Sequence, residues 1–106
     1  MKYYEAVKAA LATLKVPYYH NKAHKQDSTY IVWSETGSTG LYASDRLCHR
    51  AQRIAVDLFT KTEYTTLPDD IIKALEQNGF AVYEDVGYDY EDDTGYIHHA
   101  LTALYG

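Results

Sequence analysis

Five histidines and one cysteine have the widest chemical repertoire in this 106-residue sequence, and their spacing decides what they could do. His20 and His24 stand four apart, an interval that would place two imidazoles on one helix face. Pro17 precedes them and the surrounding stretch is polar, so they fall in a loop. His98 and His99 are adjacent, and neighbours on a strand point to opposite faces, where they do not readily share an ion. Cys48-His49 lacks the paired spacing of a structural zinc site. No glycine-rich phosphate loop, nucleophile elbow or His-Glu-x-x-His motif is present. The histidines are therefore expected to be solvated or hydrogen-bonded, and no metal, cofactor or catalytic residue is expected.

The carboxylates cluster in a different way. Glu84, Asp85, Asp89, Glu91, Asp92 and Asp93 are spread along one C-terminal hairpin, which suits an electronegative face better than an acid/base pair in an apolar pocket. The turn has neither the alternating oxygen ligands nor the closing glutamate of a calcium loop. A basic counterpart could form from Tyr18, Tyr19, Lys22, Lys25, Arg46, Arg50 and Arg53, with Lys15 nearby. Residues 1–53 carry eight Lys/Arg against four Asp/Glu, a net of +4; residues 54–106 carry two against eleven, a net of −9. These sum to the overall −5, an acidic balance that opposes tight phosphate binding. Opposed halves either pair within one fold or attract copies of the chain head to tail, and a head-to-tail contact that closes gives a ring.

The length fits one domain, residues 1–106, large enough to need no disulfide, and Cys48 alone could form none within the chain. No apolar run approaches the ~20 residues of a membrane span, and the start of the sequence carries no signal-like apolar stretch, so a soluble, unexported protein is expected. Twelve tyrosines are the compositional oddity, suited either to packing a sheet on its own helices or to surfaces buried against partners.

The elements that must position these residues centre on Arg53-Ile54-Ala55-Val56-Asp57-Leu58-Phe59-Thr60-Lys61-Thr62. Their strict alternation marks a strand, here expected to be the central one. Before it come a helix over residues 3–15 ended by Pro17, a short extended piece at 16–20, and a strand at 30–35. The turn Thr36-Gly37-Ser38-Thr39-Gly40 then leads to a return strand at 41–44, the expected hairpin partner of 30–35, and residues 45–49 read as a connection. After it, Thr66-Leu67-Pro68-Asp69 reads as a capped helix start and Asn78-Gly79 as its left-handed stop. A strand follows from Phe80 with an irregularity near Gly87, then a turn at 92–95 and a last strand over 96–104. The expected class is α+β: a mainly antiparallel sheet of four to five strands with two helices.

Several of these stretches, in this order, resemble one known family. They are Val16-Pro17-Tyr18-Tyr19, Tyr30-Ile31-Val32-Trp33-Ser34-Glu35, Leu41-Tyr42-Ala43-Ser44-Asp45, Val56-Asp57-Leu58-Phe59-Thr60-Lys61 and Gly95-Tyr96-Ile97-His98. The chain is similar to the small tail terminator (tail completion, head–tail joining) proteins of long-tailed bacteriophages and prophages, especially those of Gram-positive hosts. Thr29 departs from the proline expected before Tyr-Ile. The resemblance implies a non-enzymatic subunit, made in the bacterial cytoplasm and placed in the virion at the head–tail interface. It would form a homo-oligomeric ring, a hexamer, on the major tail tube protein, stop tube growth and offer a surface to the head connector. Genome DNA would pass through without specific binding. In that setting the acidic hairpin either faces the lumen, repelling phosphates within about 8 Å at physiological salt, or docks on basic groups of a neighbour. The basic/aromatic residues become a candidate subunit interface. Another head–tail connector component, a host nucleic-acid- or protein-binding module, and a small metal-dependent enzyme using the histidines are the alternatives.

Overall fold

The computed structural model describes residues 2–26, 28–43, 46–63 and 65–105, with residues 38–50 and 84–88 described in backbone only. The elements in chain order are α1 (Tyr3–Ala12), β1 (Tyr18–His20), β2 (Thr29–Ala43), β3 (Arg46–Thr60), α2 (Leu67–Gln77), β4 (Phe80–Tyr90) and β5 (Ile97–Tyr105). The five strands form one sheet ordered β1-β2-β3-β5-β4, antiparallel throughout except for the parallel β1–β2 pair. The fold is α+β, and the alternating stretch at 54–60 is the middle strand of the sheet, as its sequence predicts.

Period-2 patterning separates the faces. Ile31, Trp33, Ile54, Val56, Leu58, Leu101 and Ala103 point to one side and meet Ala6, Val7, Ala10 and Leu11 of α1 and Ile71, Ala74 and Leu75 of α2. Both helices therefore lie on one face. The other face carries Tyr30, Asp57, Phe59 and His98.

Three local expectations are corrected. Helix α1 stops at Ala12, before Pro17 can act, because Thr13 turns its hydroxyl onto the Ala10 carbonyl (2.7 Å) and Lys15 adopts φ +57°. The capping box at α2 does not form. Thr66 donates its hydroxyl to Asp70 Oδ2 (3.2 Å), while Thr65 Oγ1 accepts the Leu67 N–H (3.2 Å). At the other end of α2 the expectation holds: Asn78 Nδ2 donates to the Ala74 carbonyl (2.8 Å) and Gly79 has φ +94°. A Cβ at Gly79 would also stand 3.2 Å from the Tyr105 ring.

The third correction is the largest. Residues 36–43, expected as a turn and a return strand pairing with 30–35, instead carry on in the same strand, β2, and pair with β3. Residues 46–49, expected as connection, belong to β3, so β2 and β3 form a hairpin whose ladder reaches Ala43↔Arg46. β5 accompanies β3 only from Gln52 to Thr60, and β1 accompanies β2 only over Ile31 to Trp33. Residues 38–43 and 46–51 thus form a two-stranded arm beyond the rest of the sheet. Two strands of 15 residues, at about 3.3 Å each, account for a molecule 48 Å long and only 25 by 23 Å across.

Candidate assembly surfaces

The arm leaves the sheet through a braced root. The β2–β3 register shifts between Glu35 and Gly37, and Gly37 takes φ +120°, a conformation that suits glycine. Arg53, paired with Gly37, donates from Nε to Thr36 Oγ1 (3.1 Å) and from a terminal nitrogen to the Thr36 carbonyl (3.0 Å). Gln52 Nε2 donates to the carbonyls of Gly37 (2.8 Å) and Arg53 (3.0 Å). These bonds saturate the bulge and fix the direction in which the arm departs.

At the opposite end of the sheet, β4 and β5 are joined by the acidic turn. Gly95 (φ +78°) donates its N–H to the Glu91 carbonyl, and the Glu91 N–H donates to the Tyr96 carbonyl, both at 2.8 Å. Glu91, Asp92 and Asp93 are exposed there, and Asp89 is exposed on β4. Glu84 and Asp85 fall at the register shift between Glu84 and Gly87, with their side chains outside the described residues. β4 is the last strand of the sheet and carries the exposed rings of Tyr83 and Tyr90.

The basic/aromatic set is not gathered into one patch. Tyr18 packs toward the helix-side core, whereas Tyr19 meets His24 edge-to-face. Lys22 lines a shallow depression of about 380 Å³ on the opposite face, with Tyr30, Val32, Asp57 and Phe59 as its floor. Lys25 is exposed on the same segment. Arg53 braces the arm root, and Arg46 and Arg50 lie on the arm, their side chains outside the described residues. Two locations replace the single expected face because β1 sits beside Ile31 to Trp33, several residues short of the arm.

Two polar clusters escaped the sequence reading. Tyr30, Phe59 and His98 are consecutive cross-strand partners and stack as a row, with centroids 5.0 and 4.5 Å apart. Tyr96 stands edge-on to this row, and Lys61 Nζ lies 4.9 Å from the Tyr96 centroid. His98 Nε2 is hydrogen-bonded to Asp57 Oδ1 at 2.8 Å. Burial raises the Tyr30 phenol pKa, and burial together with the nearby His98 lowers that of His99. On the far edge, Glu35 accepts hydrogen bonds from His20 and from the Tyr3 hydroxyl (2.9 Å). The His20 bond is the main reason the Glu35 carboxyl lies below its usual range, and the Tyr3 phenol is correspondingly raised by its bond to that carboxylate. The only available signal was the alternation that set Asp57 and Phe59 on one face. Their partner His98 is 41 positions from Asp57, and nothing local announces that pairing.

Among the described residues, no three His, Cys, Asp or Glu side chains converge as a metal site, and no buried side-chain polar atom lacks a partner. Among those residues, no helix is long and apolar enough to cross a membrane. Compared with protein-family models and with curated proteins, the chain matches none.

Proposed function

We propose that this chain is a tail terminator: a virion assembly subunit that rings the end of a phage tail tube, stops its polymerisation and presents the seat for the head. It acts by contact rather than catalysis, with copies of itself, the tube protein and the head connector as partners. The observation that carries this reading is polarity. A braced arm carrying arginines leaves one end of a 48 Å molecule, and an acidic turn closes the other. A subunit with unlike ends meets its neighbour heterologously, which is the arrangement a closed ring requires. The moderate resemblance of the short strand motifs to terminator proteins supplies the setting.

Within the ring, Glu91, Asp92 and Asp93 are the carboxylates assigned to the lumen. They sit at an exposed turn, where charge can act on passing phosphates across a Debye length of about 8 Å. The deciding experiment is deletion of the gene followed by electron microscopy of the tails. Overlong tails of variable length are expected. Tails of normal length that fail to join heads would move the chain to another connector position, and normal virions would end the proposal.

A further inference from the structure

We infer that the arm of one copy adds to the sheet of the next, with residues 46–51 of β3 lying along the free outer edge of β4. The occupant of that edge is a second copy of this chain. The inference deepens the ring reading and rests on it only in requiring that copies meet.

Three observations converge. First, an isolated two-stranded ribbon is marginal in water, and this arm has no third strand among the described residues beyond Gln52↔Tyr105. Its root is nevertheless clamped by Arg53 and Gln52, so the arm is aimed outward. Second, β4 ends the sheet, and among the described residues no strand pairs with its outer edge; the straight run 80–84 before the register shift is close in length to residues 46–51. An exposed row of N–H and C=O groups of that length is a template for strand addition. Third, the charges select the pairing. The β4 sequence holds three carboxylates (Glu84, Asp85, Asp89) and no basic residue, and residues 46–51 hold Arg46 and Arg50 and no acidic one, so two β4 segments share one sign of charge and two arms the other. Isologous edge-to-edge and arm-to-arm contacts are both disfavoured, which leaves the heterologous one. The bulge at Glu84/Gly87 limits the paired length to one side of it, keeping the contact short and directional.

The depression beside Asp57 and the Tyr3–Glu35–His20 cluster were the competing sites. Their carboxylates, Asp57 and Glu35, are already hydrogen-bonded within the chain.

Two variants test the contact. In one, residues 39–51 are replaced by Asn-Gly, the two-residue turn that closes a hairpin at Ser38↔Gln52. In the other, Glu84→Lys, Asp85→Lys and Asp89→Lys reverse the β4 edge. Circular dichroism and thermal melting establish that each is folded. In sedimentation velocity up to about 1 mM the parent chain is expected to assemble, and each variant alone to lose about two orders of magnitude in association constant. Mixed, the variants should give a 1:1 dimer and nothing larger, because one lacks only the arm and the other only the edge. A photoreactive residue at position 83 should cross-link to residues 46–51 of a differently labelled copy.

An armless chain that assembles like the parent, a mixture that stays monomeric, or a parent that is monomeric throughout would each overturn the inference. Rings that form without the arm sink this contact but leave the terminator reading intact. Normal tails after gene deletion do the reverse.

Discussion

The two halves of the β2–β3 hairpin obey different physics. Toward Thr29 and Thr60, the hairpin is flanked by further strands, covered by helices on one side and lined by stacked rings on the other. Beyond Ser38 and Gln52, the same two strands pair only with each other among the described residues. The first half is fixed by burial within the chain, while the second is the part that, on the contact proposed above, another chain would cover. Under that proposal folding and assembly fall to successive segments of the same strands, separated by a glycine and two side-chain braces.

Substitutions can break or sharpen that contrast. Trp33→Ala, in the packed half and 2% exposed, should lower unfolding free energy by about 3–5 kcal/mol in denaturant titration. Next comes the hinge between the halves: Gly37→Ala forces a Cβ into φ +120° and should cost about 1–2 kcal/mol. Asp57→Ala leaves His98 without its carboxylate. With both side chains roughly a third exposed or less, the loss should be about 1 kcal/mol, and a double-mutant cycle with His98→Ala would isolate the pair.

Glu35 gives a smaller, pH-dependent effect. Its folded pKa lies below the ordinary 4.5, so its stabilisation is present above that value and is lost as pH falls through the folded one. Parent and Glu35→Gln melting curves should therefore differ near neutrality and converge in acid, with a gap under about 1 kcal/mol because the site is solvent-screened. Smallest of all, Tyr83→Ser should change stability by less than about 0.5 kcal/mol. A large loss there would mean that the β4 edge supports the fold itself and is not a surface left open for a partner.

The residues differ in how openly they declared these roles. Ile54 to Thr60 alternate so strictly that strand, face and central place could be read directly, and Asn78-Gly79 announced the end of α2 through its own backbone chemistry. Residues 46–49 did not declare themselves, because Arg46-Leu47-Cys48-His49 sets its two apolar residues side by side instead of alternating them. Its strand character comes from ladder bonds to Leu41, Tyr42 and Ala43 across the hairpin. Thr66 had the right type for a cap, but Thr65 and Asp70 competed for the same bonds. The opposed charges of the two sequence halves were visible from composition. That the β2–β3 arm and the acidic turn lie at opposite ends of the sheet depended on strand order and register, which involve residues far apart in the chain.

The seat of the edge strand β1 offers an optical handle. Trp33 is the chain's only tryptophan, and the His20 ring lies 4.0 Å from its indole at an interplanar angle of 17°. An imidazole stacked this closely quenches the indole's excited state by contact, so emission should brighten if β1 peels away. The protein therefore carries an intrinsic fluorescent gauge beside its first strand, through which docking at that border can be followed without any attached dye.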